Sequence, residues 1–336
     1  MKKITVLIVS LALLCLLPGM LFARGAEEVA AEDRVYELKI GHLSAVGGLE
    51  DLAVNRIAEV AEEKSNGRLI LNVFPAAQLG NFVSQMESIS IGTQDIMWGD
   101  LGWLGNFVKD YQILIMPYAF RSQQHMFDFM DSDIGLELED QLESMGYLLL
   151  TKHAYQLPKC AISSKPIRSA ADLQGLKMRV PEWPIYMAGW DALGTNTVVV
   201  TWGELYLSLA QGVADAMTAG FEFIYPGKFH EVAPYITRTN HAYGVRGAIL
   251  GTQTRDRLPD DLMAILEDAA LEGEKHYIEL LEAARVEHEE AILADGGEII
   301  EIDVEPLRRM VLPIVPRLEA QGHWSPGLFD KVQQIN

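Results

Sequence analysis

Apolar and polar positions along this chain switch repeatedly between a period of two and a period near 3.6, the pattern of an α/β protein. From residue 35 the alternation Val-Tyr-Glu-Leu-Lys-Ile-Gly predicts a first strand, and Gly41-His42-Leu43-Ser44 with Gly47-Gly48 predicts a loop at its carboxyl end, where ligands gather in open α/β sheets. Residues 52–64 are amphipathic at helical spacing and stop at Asn66-Gly67; 68–74 read as the next strand and 81–91 as a helix ended by Gly92. In 95–103, Asp-Ile-Met-Trp-Gly-Asp-Leu-Gly-Trp, a strand ends in a glycine-interrupted loop carrying Trp98 and Trp103. A helix over 137–145, a strand over 147–155 and a proline-bounded crossing segment over 158–166 come next.

The alternation is clearest over 172–220. Leu176-Lys177-Met178-Arg179-Val180 is a short strand cut off by Pro181; 184–193 is helical, 197–200 a strand, and Thr201-Trp202-Gly203-Glu204 opens a second helix with the spacing of a capping box. Beyond it lie a segment over 225–232 and a strand-like stretch over 236–243. Residues 260–294 then keep apolar positions at helical spacing, with Glu-rich outer positions and Gly273 as the one interruption. As a single helix they make a rod of about 50 Å, more than one modest domain needs. The alternative is two helices meeting at Gly273. A strand over 298–302 and helices over 307–319 and 329–335 close the chain.

Length and charge narrow the classes. The 336 residues give a soft expectation of two domains, and 49% apolar with 22% charged residues describes a folded chain. Met1-Lys2-Lys3 followed by twenty uncharged residues reads as an export signal over 1–23, with cleavage after Ala23; an uncleaved anchor is the alternative, since ~20 apolar residues span a bilayer. Cys15 follows Leu14 where a lipidation site needs a small residue, so it reads as apolar filler. Residues 24–33 read as a solvated linker. Cleavage leaves Cys160 as the one cysteine, which excludes an intramolecular disulfide. With 27 basic and 47 acidic residues the formal charge is 27 − 47 = −20, which repels phosphate backbones and argues against nucleic-acid partners. An anionic solute must then be met by local cations, which draws attention to Arg179.

Catalytic constellations are thin: there is no HExxH, CxxC, phosphate loop or GxGxxG. Nothing orients His153 toward Cys160 as base and nucleophile, and His276 and His288 sit among carboxylates on what reads as a solvated helix face. No enzyme, metal or cofactor is expected. Arg179 either pairs internally, with Glu182 or Asp215, or presents its planar fork to a ligand carboxylate. Trp202, at the helix start, is placed to stack on a ligand; Trp183, Met217, Phe221 and Phe223 either complete a wall or pack as core. The same choice stands for Trp98 and His42, while Trp103 reads as core.

The stretch DLQGLKMRVPE with TWGELYLSLAQGVADA resembles the solute-binding subunits of tripartite ATP-independent periplasmic (TRAP) transporters, the DctP-like family. Phe74-Pro75-Ala76-Ala77-Gln78-Leu79-Gly80, Gly92-Thr93-Gln94-Asp95-Ile96-Met97 and Met116-Pro117-Tyr118-Ala119-Phe120-Arg121 match further family segments in order. The resemblance implies a two-lobed periplasmic-binding-protein-like α/β fold, with mixed sheets flanked by helices and lobes joined by crossing strands and a long helix spanning both. Lobe I would comprise 34–156 plus 245–284 and lobe II 157–244 plus 285–336. It implies that Arg179 clamps the carboxylate of an organic acid and that the protein serves TRAP membrane subunits from the periplasm; some relatives also associate with a tetratricopeptide-repeat accessory protein or dimerise through helical faces, and the sequence leaves both open. A second basic position of the family falls near Lys159. Where the family carries an acidic and an amide residue after the aspartate of GxxDG, this chain has Thr218 and Ala219. One charge-assisted hydrogen bond contributes ~1.5–3 kcal/mol, and micromolar binding needs ~8 kcal/mol. Burying ~200 Å² of apolar ligand adds about 5 kcal/mol before entropic losses. The expected solute is therefore an acid with a sizeable hydrophobic part; the rival is an exported scaffold that kept the fold and lost its solute.

Overall fold

The computed structural model describes residues 34–335. The export signal and the linker predicted from the sequence lie outside the described residues. The described residues from Glu37 onward form one compact unit, which carries the fold.

Among the described residues the strands form two six-stranded sheets. The first holds β1 (Tyr36–Gly41), β2 (Leu69–Phe74), β3 (Ile96–Asp100), β4 (Tyr147–Leu149), β5 (Ala154–Gln156) and β11 (Gly244–Gly251) in the order β2-β1-β3-β11-β4, with β5 also on β11. The second holds β6 (Cys160–Ser163), β7 (Lys177–Val180), β8 (Asn196–Val199), β9 (Ala216–Ala219), β10 (Tyr235–Thr237) and β12 (Glu298–Ile300) in the order β12-β10-β6-β9-β7-β8. Each sheet is mixed: β1 and β3 run parallel while β11 runs against β3, and β7 is parallel to β8 and β9 while β6 runs against β9. The chain crosses between the sheets from β5 to β6 and again from β10 to β11, as the two-lobed architecture requires.

Helix α1 (Leu49–Lys64) and helix α2 (Pro184–Ala192) flank the two sheets, and a one-turn helix α3 (Phe221–Ile224) comes after β9. The helix α4 (Asp260–Ala294) is unbroken over 35 residues and packs against α1 and β5 on one side and α3 and β12 on the other. Gly273 is therefore a packing residue rather than a break: a Cβ there would sit 2.2 Å from Ile57 Cγ1, so only glycine lets α4 and α1 approach this closely. The closing helices lean toward the first sheet's connections. Ser325 N donates to Asp110 at 2.7 Å, and Gln333 Nε2 donates to Ala119 O at 2.6 Å.

Three local expectations change. The strand predicted over 147–155 is two strands, because β4 and β5 pair with different residues of β11, Leu149 with Ile249 and Ala154 with Arg246, and the chain bends between them. The strand-like 236–243 is β10 followed by an irregular crossing. The capping box at Thr201 does not form: its hydroxyl bonds the Glu204 carboxylate at 2.7 Å, and a short 3-10 turn precedes the helix Leu205–Ala210. The strand β11 itself, buried along its whole length, stands where the sequence pattern predicts none.

Candidate functional site

Strand β7 ends at Pro181 and carries Arg179 into the interior beside β8. Its Nε donates to Val200 O at 2.8 Å, and the guanidinium carbon stands 5.8 Å from the centre of the Trp202 ring. The residue is 5% exposed, yet among the described residues no carboxylate lies within ion-pairing distance. Asp215, one internal partner considered from the sequence, is committed elsewhere: it accepts from Lys177 N at 3.0 Å and lies 3.8 Å from Lys177 Nζ. Burial without a counter-charge pushes the guanidinium down to about 10, only partly offset by Tyr186. A buried cation left in this state is stabilised by any anion that reaches it.

Lys159 stands close by. Its ammonium lies 5.3 Å from the Trp183 ring centre and 5.5 Å from that of Tyr186, with no ion pair among the described residues. Burial lowers its pKa; Asp100 and Glu222 oppose the shift, and Arg246 and Arg179 deepen it. Lys159, Asp100, Trp183, Tyr186, Leu114 and Ile115 are among the residues lining one narrow cavity, which leaves ≈ 10 Å³ for the centres of water-sized molecules, about one water's worth. An acid with a sizeable hydrophobic part, as expected from the sequence, needs a roomier apolar pocket. Edge-to-face aromatic rings occupy that space instead, Trp103 meeting Trp183 at 4.9 Å and Trp183 meeting Tyr186 at 6.0 Å.

Of the other candidates, Trp202 is 48% exposed, its ring braced by Phe223 and Phe229 at 5.7 and 5.4 Å, so a ligand can still cover it. Thr218 is buried on β9 and shares a hydrogen bond of 2.9 Å with Tyr186. Arg179, Lys159, Trp183, Thr218 and Trp202 thus belong to one neighbourhood. Met217 is wholly buried opposite Ile162, and Phe221 is buried beneath the Arg238 guanidinium at 4.8 Å. Trp98 is wholly buried against Tyr277 at 5.8 Å, because β3 is an inner strand under α4. His42 is wholly buried with Nε2 3.1 Å from Asp51 of α1. These four are packed as core residues are.

Sequence reasoning missed Tyr186, Asp100, His241 and Glu222. Tyr186 looks like any apolar helix position. Glu222, in Phe-Glu-Phe-Ile, did carry a signal, a carboxylate flanked by large apolar residues; both its oxygens are buried with no side-chain hydrogen bond, and burial pushes it up to about 7 against the pull of backbone amides and Arg246. His153 pairs with Asp131 at 2.9 Å, and burial drives the Cys160 thiol up to about 12, so the two form no nucleophilic pair. Among the described residues no cluster of three metal-ligating side chains occurs.

The family model described as bacterial extracellular solute-binding protein, family 7 (DctP) matches residues 40–321. A solute-binding protein of Roseobacter denitrificans is 28% identical over 267 residues, covering 79% of this chain and 82% of the relative. Among solved structures, a TRAP periplasmic solute-binding protein of Ochrobactrum anthropi, with its C-terminus bound in the ligand-binding pocket, superposes with a TM-score of 0.82 at 25% identity over 89% of this chain and 94% of that one. Another, from a Polaromonas species and bound to D-erythronate, gives 0.78 at 25% identity over 89% and 99%.

Proposed function

Since this chain belongs to the bacterial extracellular solute-binding proteins of family 7, the DctP-like solute-binding proteins of TRAP transporters, we propose that it captures an organic acid between its two sheets and delivers it to membrane subunits. The observation that carries this reading is the Arg179 guanidinium, buried with no carboxylate beside it. The acid's carboxylate takes the two remaining nitrogens of Arg179, with the Lys159 ammonium as a second cation, and Trp202 covers the guanidinium from its exposed side. The erythronate held by the Polaromonas protein supports the acid class.

The rest of the ligand meets a wall in which Trp183, Leu114 and Ile115 supply the apolar surface beside the polar Asp100, Tyr186 and Tyr243. That wall favours an acid with a sizeable hydrophobic part over a polyhydroxy acid. Its narrowness means that the ligand enters by parting the two sheets, with closure then excluding water and strengthening the arginine contact.

Native mass spectrometry of protein purified from its own host tests the capture. A copurifying acid is expected, and phenylacetate should raise the melting temperature more than D-erythronate does. A protein that emerges empty and whose melting no acid shifts is a scaffold, and the transport reading is lost.

A further inference from the structure

Four buried polar side chains stand in a row behind the cavity wall. Thr218 Oγ1 lies 2.9 Å from Tyr186 Oη, Tyr186 Oη 2.5 Å from His241 Nε2, and His241 Nδ1 2.8 Å from Thr239 Oγ1. Thr239 Oγ1 donates in turn to the carbonyl oxygen of Lys159 at 3.3 Å. A carbonyl only accepts, so the Thr239 proton is used there and Thr239 must accept from His241. That places the imidazole proton on Nδ1, leaves Nε2 to accept from Tyr186, and makes Tyr186 accept from Thr218. One carbonyl thereby orders every proton in the row, and Tyr186 keeps none for a ligand carboxylate.

The row also joins the two sheets. Tyr186 lies on α2 and Thr218 on β9, while Thr239 and His241 lie in the crossing between β10 and β11. Tyr118, from the connection between β3 and β4, donates its amide to His241 O at 2.7 Å and its hydroxyl to Thr239 O at 3.3 Å. Tyr118 and Asn240 both hold left-handed backbone, at φ of 62° and 43°; asparagine tolerates that region, whereas a tyrosine adopts it only when its surroundings enforce it. Two non-glycine residues in that region, one hydrogen-bonded to the row and one inside it, mark a joint held in a set geometry.

We propose that Tyr186 and His241 are positioning residues of the acid site, whose fixed proton order clamps the wall bearing Lys159 and Trp183 to the backbone of Tyr118. The purpose of the clamp rests on the acid-binding reading; its geometry does not. The groups facing His241 are Tyr186 and the Trp190 ring from α2, Thr239 within its own segment, and the Lys159 ammonium from β6's approach; none is an acid. Burial and Lys159 accordingly hold the imidazole neutral, its pKa well below the usual histidine value.

Nitrogen-15 NMR of histidine-labelled wild-type protein reads the row without any ligand. A protonated Nδ1 and bare Nε2, unchanged from pH 8 to pH 5, is expected; an Nε2-protonated or titrating His241 overturns the proposal even if no variant folds. In Tyr186→Phe the Tyr118 amide should exchange at least tenfold faster while the β3 amides keep their rates, and a wild-type rate there counts against the clamp. Calorimetry with phenylacetate should show about a tenfold weaker Kd in that variant with Arg179 intact. A lowered melting temperature with unchanged Kd would reduce Tyr186 to a merely structural residue. Failure of the wild type to bind any acid would strike the acid-binding reading alone, since the tautomer and exchange signals do not depend on it.

Discussion

Two arginines, Arg179 on β7 and Arg246 on β11, are buried to nearly the same degree, 5% and 7% exposed, and differ in everything else. Arg246 forms an ion pair with Glu50 of α1, and Gln156, with its amide oxygen turned inward, accepts from its Nε and Nη2 at 3.2 and 2.6 Å. Glu50 and other acids raise its pKa against the pull of burial. Arg179 has one backbone carbonyl and a ring face, and burial lowers its pKa. Burial alone therefore does not distinguish a structural cation from a binding one; the presence or absence of a counter-charge does. Arg246 is satisfied within the fold; Arg179, which the proposed function gives to the ligand, has no such counter-charge.

The largest effect should come from breaking the paired member. Arg246→Ala leaves Glu50 buried and uncompensated, and removing one partner of such a pair destabilises by about 3–5 kcal/mol. Urea denaturation would read this as a lower midpoint with unchanged slope. A loss below about 1 kcal/mol would mean that the pair is solvated and the contrast with Arg179 is false.

Glu222 is the acidic counterpart of Arg179, a buried carboxylate with no side-chain hydrogen-bond partner, steadied only by backbone amides and by the charges of Arg246 and Lys159. Its folded pKa of about 7 lies above the ordinary 4.5, so between those values the native state holds a proton that the unfolded state has lost, and stability falls as pH rises through that window. The loss amounts to about 3 kcal/mol, complete above pH 7. Glu222→Gln should abolish this slope, melting higher than wild type at pH 8 and equally at pH 4.5. Parallel melting curves for the two proteins across pH would show that Glu222 finds a partner.

The same chemistry decides how far the contrast was legible in the sequence. Strand β7 and its arginine announce themselves locally, through alternation ended by Pro181. Helix α4 does so through 35 residues of unbroken period, with Gly273 the one ambiguous position until Ile57 is seen against it. Strand β11 was invisible because Gly244, Gly247 and Gly251 dilute its apolar pattern, and the reason for a glycine at 247 lies in another segment: a Cβ there would stand 1.9 Å from Thr151 O. Arg246 was missed with it. Lys159, Trp183 and Thr218 stand out in the sequence by residue type and resemblance. Tyr186 and His241 were not, since a tyrosine hydroxyl or an imidazole acquires meaning only from partners 32 to 55 residues away along the chain.

Arg179→Met sharpens the comparison directly. It removes a buried charge that nothing offsets, so the melting temperature of the unliganded protein should hold or rise, the opposite of Arg246→Ala. Binding of phenylacetate should weaken by ~1.5–3 kcal/mol, roughly 10- to 100-fold, the contribution of hydrogen bonds to a charged group. Calorimetry on the two arginine variants separates the roles: weakened binding with intact stability for one, lost stability for the other. If both lose stability equally, Arg179 has an internal role that its lack of a carboxylate partner conceals.

The smallest effect isolates what stands in for a counter-charge at Arg179. The Trp202 ring, 5.8 Å from the guanidinium and half exposed, contributes an electrostatic attraction of about 0.5–1 kcal/mol at such a site. The same ring would cover the bound carboxylate, so Trp202→Ala should weaken phenylacetate binding by roughly two- to fivefold, with Trp202→Phe recovering part of it because a smaller ring keeps a weaker quadrupole. The melting temperature should change little, since a half-exposed ring braced by Phe223 and Phe229 leaves no buried cavity when truncated. Equal affinities in all three proteins would show that the ring shields the arginine from water without touching the ligand, which would leave Arg179 and Lys159 as the whole of the acid's anchorage.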